Sequence, residues 1–278
     1  MAVIGRVLID GESFDAESAA ISVLDVGFQR GYGCFEAVRA YDGRLFRLDA
    51  HLARLEQSAA KLHLPVPDRT ELVTWCTTVA EAAGDSVIRT LVSGGTDPRN
   101  LGTNSRTIVI AEAVPPQPSM LSLQSRIAPW HSDGDWFELT GAKALSYGFN
   151  LAASVEARSA GYDDALLIGR SGNVLEGPTF SVAWITDGTF HTPSLEMGIL
   201  ESITRRASIE VAQRVGVPVV EGVYGLDDVF KAAEVVALST VKEVHPVGRI
   251  DDRQFVPGQV TAALAAGFSA LVAEELDR

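Results

Sequence analysis

Lys143 sits in a small, apolar stretch, Thr140-Gly141-Ala142-Lys143-Ala144-Leu145, and Glu176 follows 33 positions later in Leu175-Glu176-Gly177-Pro178-Thr179. An amine in such a segment is poorly hydrated, which favours its uncharged, nucleophilic form. A carboxylate at a turn leading into a strand can hold a protonated heterocycle. Together these are the two protein groups a pyridoxal phosphate cofactor requires, an amine for its aldehyde and a partner for its ring nitrogen. Taken singly, each residue also fits a solvated surface charge.

Four other features bear on that reading. Leu200-Glu201-Ser202-Ile203-Thr204-Arg205 looks like a loop entering a helix, where free N–H groups and the helix dipole attract anions. An ordinary hydroxyl N-cap has the same appearance. Ser239-Thr240 ends the apolar run before Val241-Lys242-Glu243, placing two hydroxyls where a phosphate or carboxylate could be held, although strand-end turns favour such residues anyway. Arg54 lies one helical turn after His51 and can grip a phosphate bidentately, or be a plain helix arginine. Finally, residues 25–39 mix Gly27, Gly31 and Gly33 with aromatics and with Arg30 and Arg39, as a carboxylate-binding loop and strand would. Neither GxGxxG nor GK[ST] is present, so this is no nucleotide loop.

The elements that must position these groups follow from periodicity. Strands are predicted over 3–9, 34–40 and 44–46, with hairpin turns at Asp10-Gly11 and Asp42-Gly43. Leu48, Leu52, Leu55, Ala59 and Leu62 mark an amphipathic helix, and Asp68 with Glu71 forms a capping box opening a second helix that Gly84 ends. Buried strands are expected over 87–92 and 107–111. Three prolines within four positions, Pro115-Pro116-Gln117-Pro118, break every regular pattern and mark a domain boundary. Beyond it, strands are expected at 164–168, 174–175, 182–186, 219–221 and 235–238, with helices at 151–159, 203–214 and 261–275. The expectation is an N-terminal α/β domain over 1–113, a linker over 114–121 and a larger, strand-rich domain over 122–278 that holds both Lys143 and Glu176.

The 278 residues can bury one large core or two moderate ones. A net charge of −13 provides no field for nucleic acid, so any phosphate must be held by a local pocket. Residues 1–14 lack the apolar core of a secretory signal, and the mild run at 260–273 is too short to span a bilayer. A soluble cytoplasmic protein is expected. Cys34 and Cys76 read as reduced interior thiols, and the five histidines show no metal-ligand spacing, so no structural metal is expected.

In this order, the residues from Asp25 to about Pro246 resemble the class IV aminotransferases, the fold type IV pyridoxal phosphate enzymes, which include D-amino acid and branched-chain aminotransferases, R-selective amine transaminases and 4-amino-4-deoxychorismate lyases. The resemblance implies a two-domain α/β (α+β) fold, a homodimer and pyridoxal 5'-phosphate as cofactor. It makes Lys143 the Schiff-base lysine and Glu176 the pyridine-nitrogen partner. Arg54, Ile203, Thr204 and Thr240 match the phosphate site. The substrates implied are an amino donor and a keto acid acceptor.

Within the family, Gly33-Cys34-Phe35 resembles the lyases, but Ala37 stands where they usually carry a threonine. Phe35, Glu36, Arg39 and Tyr41 resemble the branched-chain enzymes, which usually have tyrosine at Arg30. D-amino acid enzymes typically have tyrosine at Phe35, a basic residue at Arg39, and an arginine and histidine near Arg99. The reading adopted is a D-amino acid transaminase, with R-amines as further donors, in which Arg30 with Arg89 or Arg99 traps the α-carboxylate. Phe35, Ala37, Arg39 and Tyr147 complete the substrate residues. A structural Arg30–Asp25 pair is the competing account of Arg30. Lyase or branched-chain L-amino acid chemistry, or a cofactor-binding relative without activity, are the alternatives.

Overall fold

The computed structural model describes residues 2–277. Its chain divides into two compact units, Met1–Pro115 with Gly141–Tyr147, and Pro116–Thr140 with Gly148–Arg278.

The first unit contains β1 (Val3–Ile9), β2 (Glu12–Asp15), α1 (Val26–Arg30), β3 (Gly33–Tyr41), β4 (Arg44–Leu45), α2 (Leu48–Lys61), α3 (Arg69–Ala83), β5 (Ser86–Ser93) and β6 (Thr107–Glu112). The strands form an antiparallel sheet in the order β2-β1-β6-β5-β3-β4. Both hairpin turns have Asp-Gly in left-handed conformations, with Asp10 and Asp42 at φ 50° and 49° and their glycines at 82° and 80°. That is the backbone a twisted two-residue connection needs. α2 packs on β3, and α3 on β1, β5 and β6. Leu52, Leu55 and Ala59 from α2, and Leu72 and Cys76 from α3, are wholly buried, as are Val38 and Ile88 of the sheet. The capping box of α3 is present, with Asp68 accepting from the Thr70 N–H at 2.8 Å and Glu71 accepting from the Asp68 N–H at 3.2 Å.

The second unit contains β7 (Leu121–Ile127), α4 (Gly148–Ser159), β8 (Asp164–Ile168), β9 (Ser181–Thr186), β10 (Thr189–Pro193), α5 (Ile203–Arg214), β11 (Val219–Gly222), α6 (Leu226–Phe230), β12 (Glu234–Ser239), β13 (Glu243–Ile250), β14 (Arg253–Gln254) and α7 (Gln259–Leu276). Its mixed sheet runs β11-β10-β9-β12-β13-β7-β8, with β14 paired to β13. After Asp164, β8 is a continuous apolar run because both its faces are covered. Leu166 and Ile168 join one core with Val182 and Trp184, while Ala165 and Leu167 join another with Ala153 and Ala157 of α4. The N-cap of α7 is Gly258, which has no side chain to offer. The Glu234 carboxylate replaces it, accepting the N–H groups of Gly258 at 2.9 Å and Thr261 at 2.7 Å. Burial would raise the Glu234 pKa, but these donors hold it below the usual value.

Three sequence expectations change. Val174 makes only an isolated bridge to Ile168, so residues 174–175 are not a strand. β7 begins at Leu121, inside the expected linker, because its residues pair with both β13 and β8. Lys143 belongs to the first unit, not to the expected second domain. The Phe35 N–H donates to the Lys143 carbonyl at 3.0 Å and the Leu145 N–H to the Gly33 carbonyl at 2.8 Å. The lysine segment thus extends the start of β3, more than a hundred residues upstream.

Candidate active site

In the first unit, β3 sorts its residues by the two-residue period of a strand. Cys34, Glu36, Val38 and Ala40 are buried, while Phe35, Ala37 and Arg39 occupy the other face. Glu36 is therefore a carboxylate in the buried phase, and it needs cations. α2 supplies them three residues apart on one side, since i and i+3 are neighbours on a helix. Arg54 Nε donates to Glu36 Oε1 at 2.7 Å and Nη2 to Oε2 at 2.8 Å, a bidentate pair. His51 Nδ1 lies 2.8 Å from Oε2. Burial would raise the Glu36 pKa, but the Arg54 charge and the hydrogen bonds from Arg54 and His51 prevail and lower it to about 2. Burial lowers the His51 pKa below its ordinary value, against the pull of Glu36. His51 is thus neutral near pH 7 and donates its Nδ1–H to the carboxylate.

On the opposite face of β3, Lys143 Nζ lies 4.5 Å from the Phe35 ring centroid and 5.7 Å from that of Tyr147. The two rings meet edge to face at 5.2 Å. The lysine backbone is fixed as well, its N–H donating to Ser58 Oγ of α2 at 3.0 Å. Gly33 has no room for a side chain, because a Cβ there would lie 2.5 Å from Leu145 Cδ1 and from the Val92 carbonyl.

The predicted arginines separate. Arg89 pairs with Glu112 and lies 5.9 Å from the Phe35 ring, opposite Ala37 in the β3–β5 register. Arg39 is turned away toward the Ser86 carbonyl and the Asp85 carboxylate. Arg30 and Arg99 are exposed. Asp25 caps α1 and accepts from Ser93 Oγ at 2.7 Å, so it does not form the pair with Arg30 considered from sequence.

In the second unit, Glu176 follows the buried Leu175 and is tied to β8 through its carbonyl, which accepts the Leu167 N–H at 2.8 Å. Its carboxylate accepts the Leu200 N–H at 3.3 Å to each oxygen, and His131 Nε2 approaches Oε1 to 3.4 Å. Gly177 closes against the ring of Phe180, which a Cβ would meet at 2.1 Å. Ser202 caps α5 by accepting the Arg205 N–H at 3.2 Å. Ile203 and Thr204, the first residues of that helix, are each 4% exposed, and their N–H groups stand in the first turn, where a helix offers no intrahelical acceptor. Ser239 ends β12, and Thr240 stands in the following turn, which Ser239 Oγ braces by accepting the Lys242 N–H at 3.1 Å.

A family model described as amino-transferase class IV matches residues 33–250. The chain belongs to this family. This class IV aminotransferase is 29% identical over 271 residues, 93% of either chain, to a D-alanine aminotransferase of Listeria monocytogenes. The crystal structure of a branched-chain aminotransferase from Thermoproteus uzoniensis with norvaline is similar at 29% identity and a TM-score of 0.86, over 97% of this chain and 95% of that one. A hypothetical aminotransferase from Mycobacterium tuberculosis in its PLP-bound form gives a TM-score of 0.89 at 26% identity, over 98% of this chain and all of that one. The fold is type IV, the enzyme is an aminotransferase, and its cofactor is pyridoxal phosphate.

The donor set fits that group. The first-turn N–H groups of the buried Ile203 and Thr204, at the start of a twelve-residue helix, suit a phosphate, which the helix dipole favours. Sequence reasoning about this class IV aminotransferase misses Glu36, His51 and His131. The first two had a signal, a lone carboxylate in the buried phase of a strand followed by a helix with His and Arg three apart. His131 had none, because it lies in an irregular segment.

Proposed function

We propose that Lys143, Glu176, Arg54, Ile203, Thr204 and Thr240 hold the cofactor, and that the amino donor is a D-amino acid, with R-amines as further donors. The observation that carries the catalytic reading is the Lys143 amine against the Phe35 and Tyr147 rings on the open face of β3. When bound, pyridoxal phosphate supplies an electron-accepting ring that lets a proton leave the substrate Cα. Lys143 Nζ would take that proton from Cα and deliver it to the cofactor's C4′ carbon, and would carry it the opposite way in the second half-reaction. The Glu176 carboxylate accepts a hydrogen bond from the ring nitrogen and keeps it protonated. The α5 N–H groups, the Thr240 hydroxyl and the Arg54 guanidinium bind the phosphate, with Glu36 fixing the plane of the guanidinium.

Arg89 is the arginine assigned to the substrate α-carboxylate, because it alone of Arg30, Arg89 and Arg99 stands beside Phe35. The D-alanine aminotransferase relative supports the D-amino acid reading. A branched-chain L-amino acid substrate is the second reading, supported by the norvaline-bound neighbour. Half-reactions of the holoenzyme with D-alanine, D-glutamate, L-leucine, L-glutamate and R-1-phenylethylamine, followed by cofactor absorbance, decide between them. The D-amino acids are expected to convert the cofactor fastest. Conversion by the L-amino acids alone refutes the first reading.

The enzyme is further proposed to be a homodimer, with Arg30 and Arg99 reaching the partner's site. Val23, Leu24 and Phe28, exposed by 72%, 61% and 70%, form an apolar run beside Arg30 that a second copy would cover. Light scattering after size exclusion is expected to give twice the chain mass, and a monomer would remove this part of the reading. A cytoplasmic location is supported by two buried, free cysteines.

A further inference from the structure

The segment from Ala128 to Thr140 has no regular structure, yet it is closely tied down. The Asp133 carboxylate accepts both the N–H and the hydroxyl of Ser171 at 2.8 Å. Gly134 N–H donates to the Met197 carbonyl at 3.3 Å, and Trp136 Nε1 to the Glu196 carbonyl at 3.1 Å. His131 N–H donates back to the Ala128 carbonyl at 3.0 Å. The segment is thus held against the turn after β8 and against residues 196–197, just before Leu200. From this segment the His131 side chain reaches Glu176.

The hydrogen bonds select the imidazole tautomer. The Asp133 N–H donates to His131 Nδ1 at 3.4 Å, so Nδ1 is the acceptor and the proton sits on Nε2. Nε2 in turn faces Glu176 Oε1 at 3.4 Å. The imidazole is 11% exposed and the carboxylate 15%. Leu200 N–H reaches both carboxylate oxygens from elsewhere and does not by itself choose between them. A donor on Oε1 alone does, leaving Oε2 as the stronger acceptor.

We propose that His131 is a positioning residue for Glu176. It donates from Nε2 to Oε1, fixes the carboxylate plane, and so directs Oε2 to the cofactor's ring nitrogen. The inference rests on the assignment of Glu176 to that nitrogen, and the test separates the two. Apoenzyme is titrated with pyridoxal phosphate, and bound-cofactor absorbance and dissociation constant are read for wild type, His131→Ala, His131→Gln, Glu176→Ala and the double variant His131→Ala/Glu176→Ala. His131→Ala is expected to weaken cofactor binding about tenfold, the effect of losing a hydrogen bond to a charged group. His131→Gln, whose amide nitrogen can replace Nε2–H, is expected to restore most of it. In the Glu176→Ala background, His131→Ala should have no further effect. Independent, additive losses, or wild-type affinity in His131→Ala, overturn the positioning role. Unchanged affinity and absorbance in Glu176→Ala overturn the Glu176 assignment instead.

Discussion

Lys143→Ala is expected to abolish transamination while leaving a folded protein that still takes up the cofactor. The fold survives because the segment is held by its backbone, through the Lys143 N–H to Ser58 and the Lys143 carbonyl to the Phe35 N–H, and alanine retains both. Cofactor uptake is expected to survive because the groups proposed to hold the phosphate, Arg54 and the start of α5, lie on other elements. What disappears is the only amine placed against Phe35 and Tyr147 among the described residues. Loss of a positioned proton-transfer group costs roughly 10²- to 10⁴-fold, and loss of the covalent attachment adds to it. The half-reaction with D-alanine, followed by absorbance, should therefore fall by at least about a thousandfold. A variant that transaminates at the wild-type rate would remove Lys143 from the mechanism.

The regular parts of this architecture were legible because their signals are local. Apolar spacing in α2, the Asp68–Glu71 box of α3 and the Asp-Gly hairpin turns are each decided within a few residues, and the structure reproduces them. Helix α5 matches its expected bounds, since Ser202 and the apolar face of residues 203–214 lie side by side in sequence. Long-range pairing was not legible. β7 is a strand because β13 and β8 flank it, and nothing in residues 121–127 names those partners. Lys143 joins the first unit for the same reason, through β3.

The site divides along the same line. Lys143, Glu176, Arg54, Thr204 and Thr240 stood out in the sequence by residue type and by the family resemblance, and their roles remain those proposed above. Their immediate supports did not stand out, because His51, Glu36 and His131 acquire meaning only from what they touch. Arg39 shows the converse. Its residue type suits a carboxylate, but the structure engages it with Ser86 and Asp85 at the end of the sheet.

The Glu36 cluster should govern stability in acid. Glu36→Ala removes the buried carboxylate that the Arg54 guanidinium, 11% exposed, pairs with and that the neutral, buried His51 donates to. Breaking a buried pair on one side typically costs about 3–5 kcal/mol, which is a large share of a domain's stability. Urea unfolding at pH 7 should register that loss, and Glu36→Gln, which keeps the shape, should lose less. The pH dependence has a definite sign. Glu36 titrates at about 2 in the folded protein, below the ordinary carboxylate value of about 4.3. The unfolded chain therefore binds more protons between those values, so this contribution is complete above the unfolded pKa and is lost as pH falls toward 2. His51 acts in the same direction, because a buried base with a lowered pKa binds fewer protons folded than unfolded. Its contribution is complete above about pH 6.5 and declines as pH falls below that. Wild-type unfolding free energy should thus begin to drop below about pH 6.5 and drop further below about 4.3, at up to about 1.4 kcal/mol per pH unit for each group. In Glu36→Gln the lower-pH component is expected to vanish, and His51 also loses the partner that held it. Identical pH profiles for wild type and Glu36→Gln would show that the cluster does not carry this charge. Because the same carboxylate fixes Arg54, Glu36→Gln should also weaken binding of pyridoxal phosphate to the apoenzyme at pH 7, where both proteins remain folded.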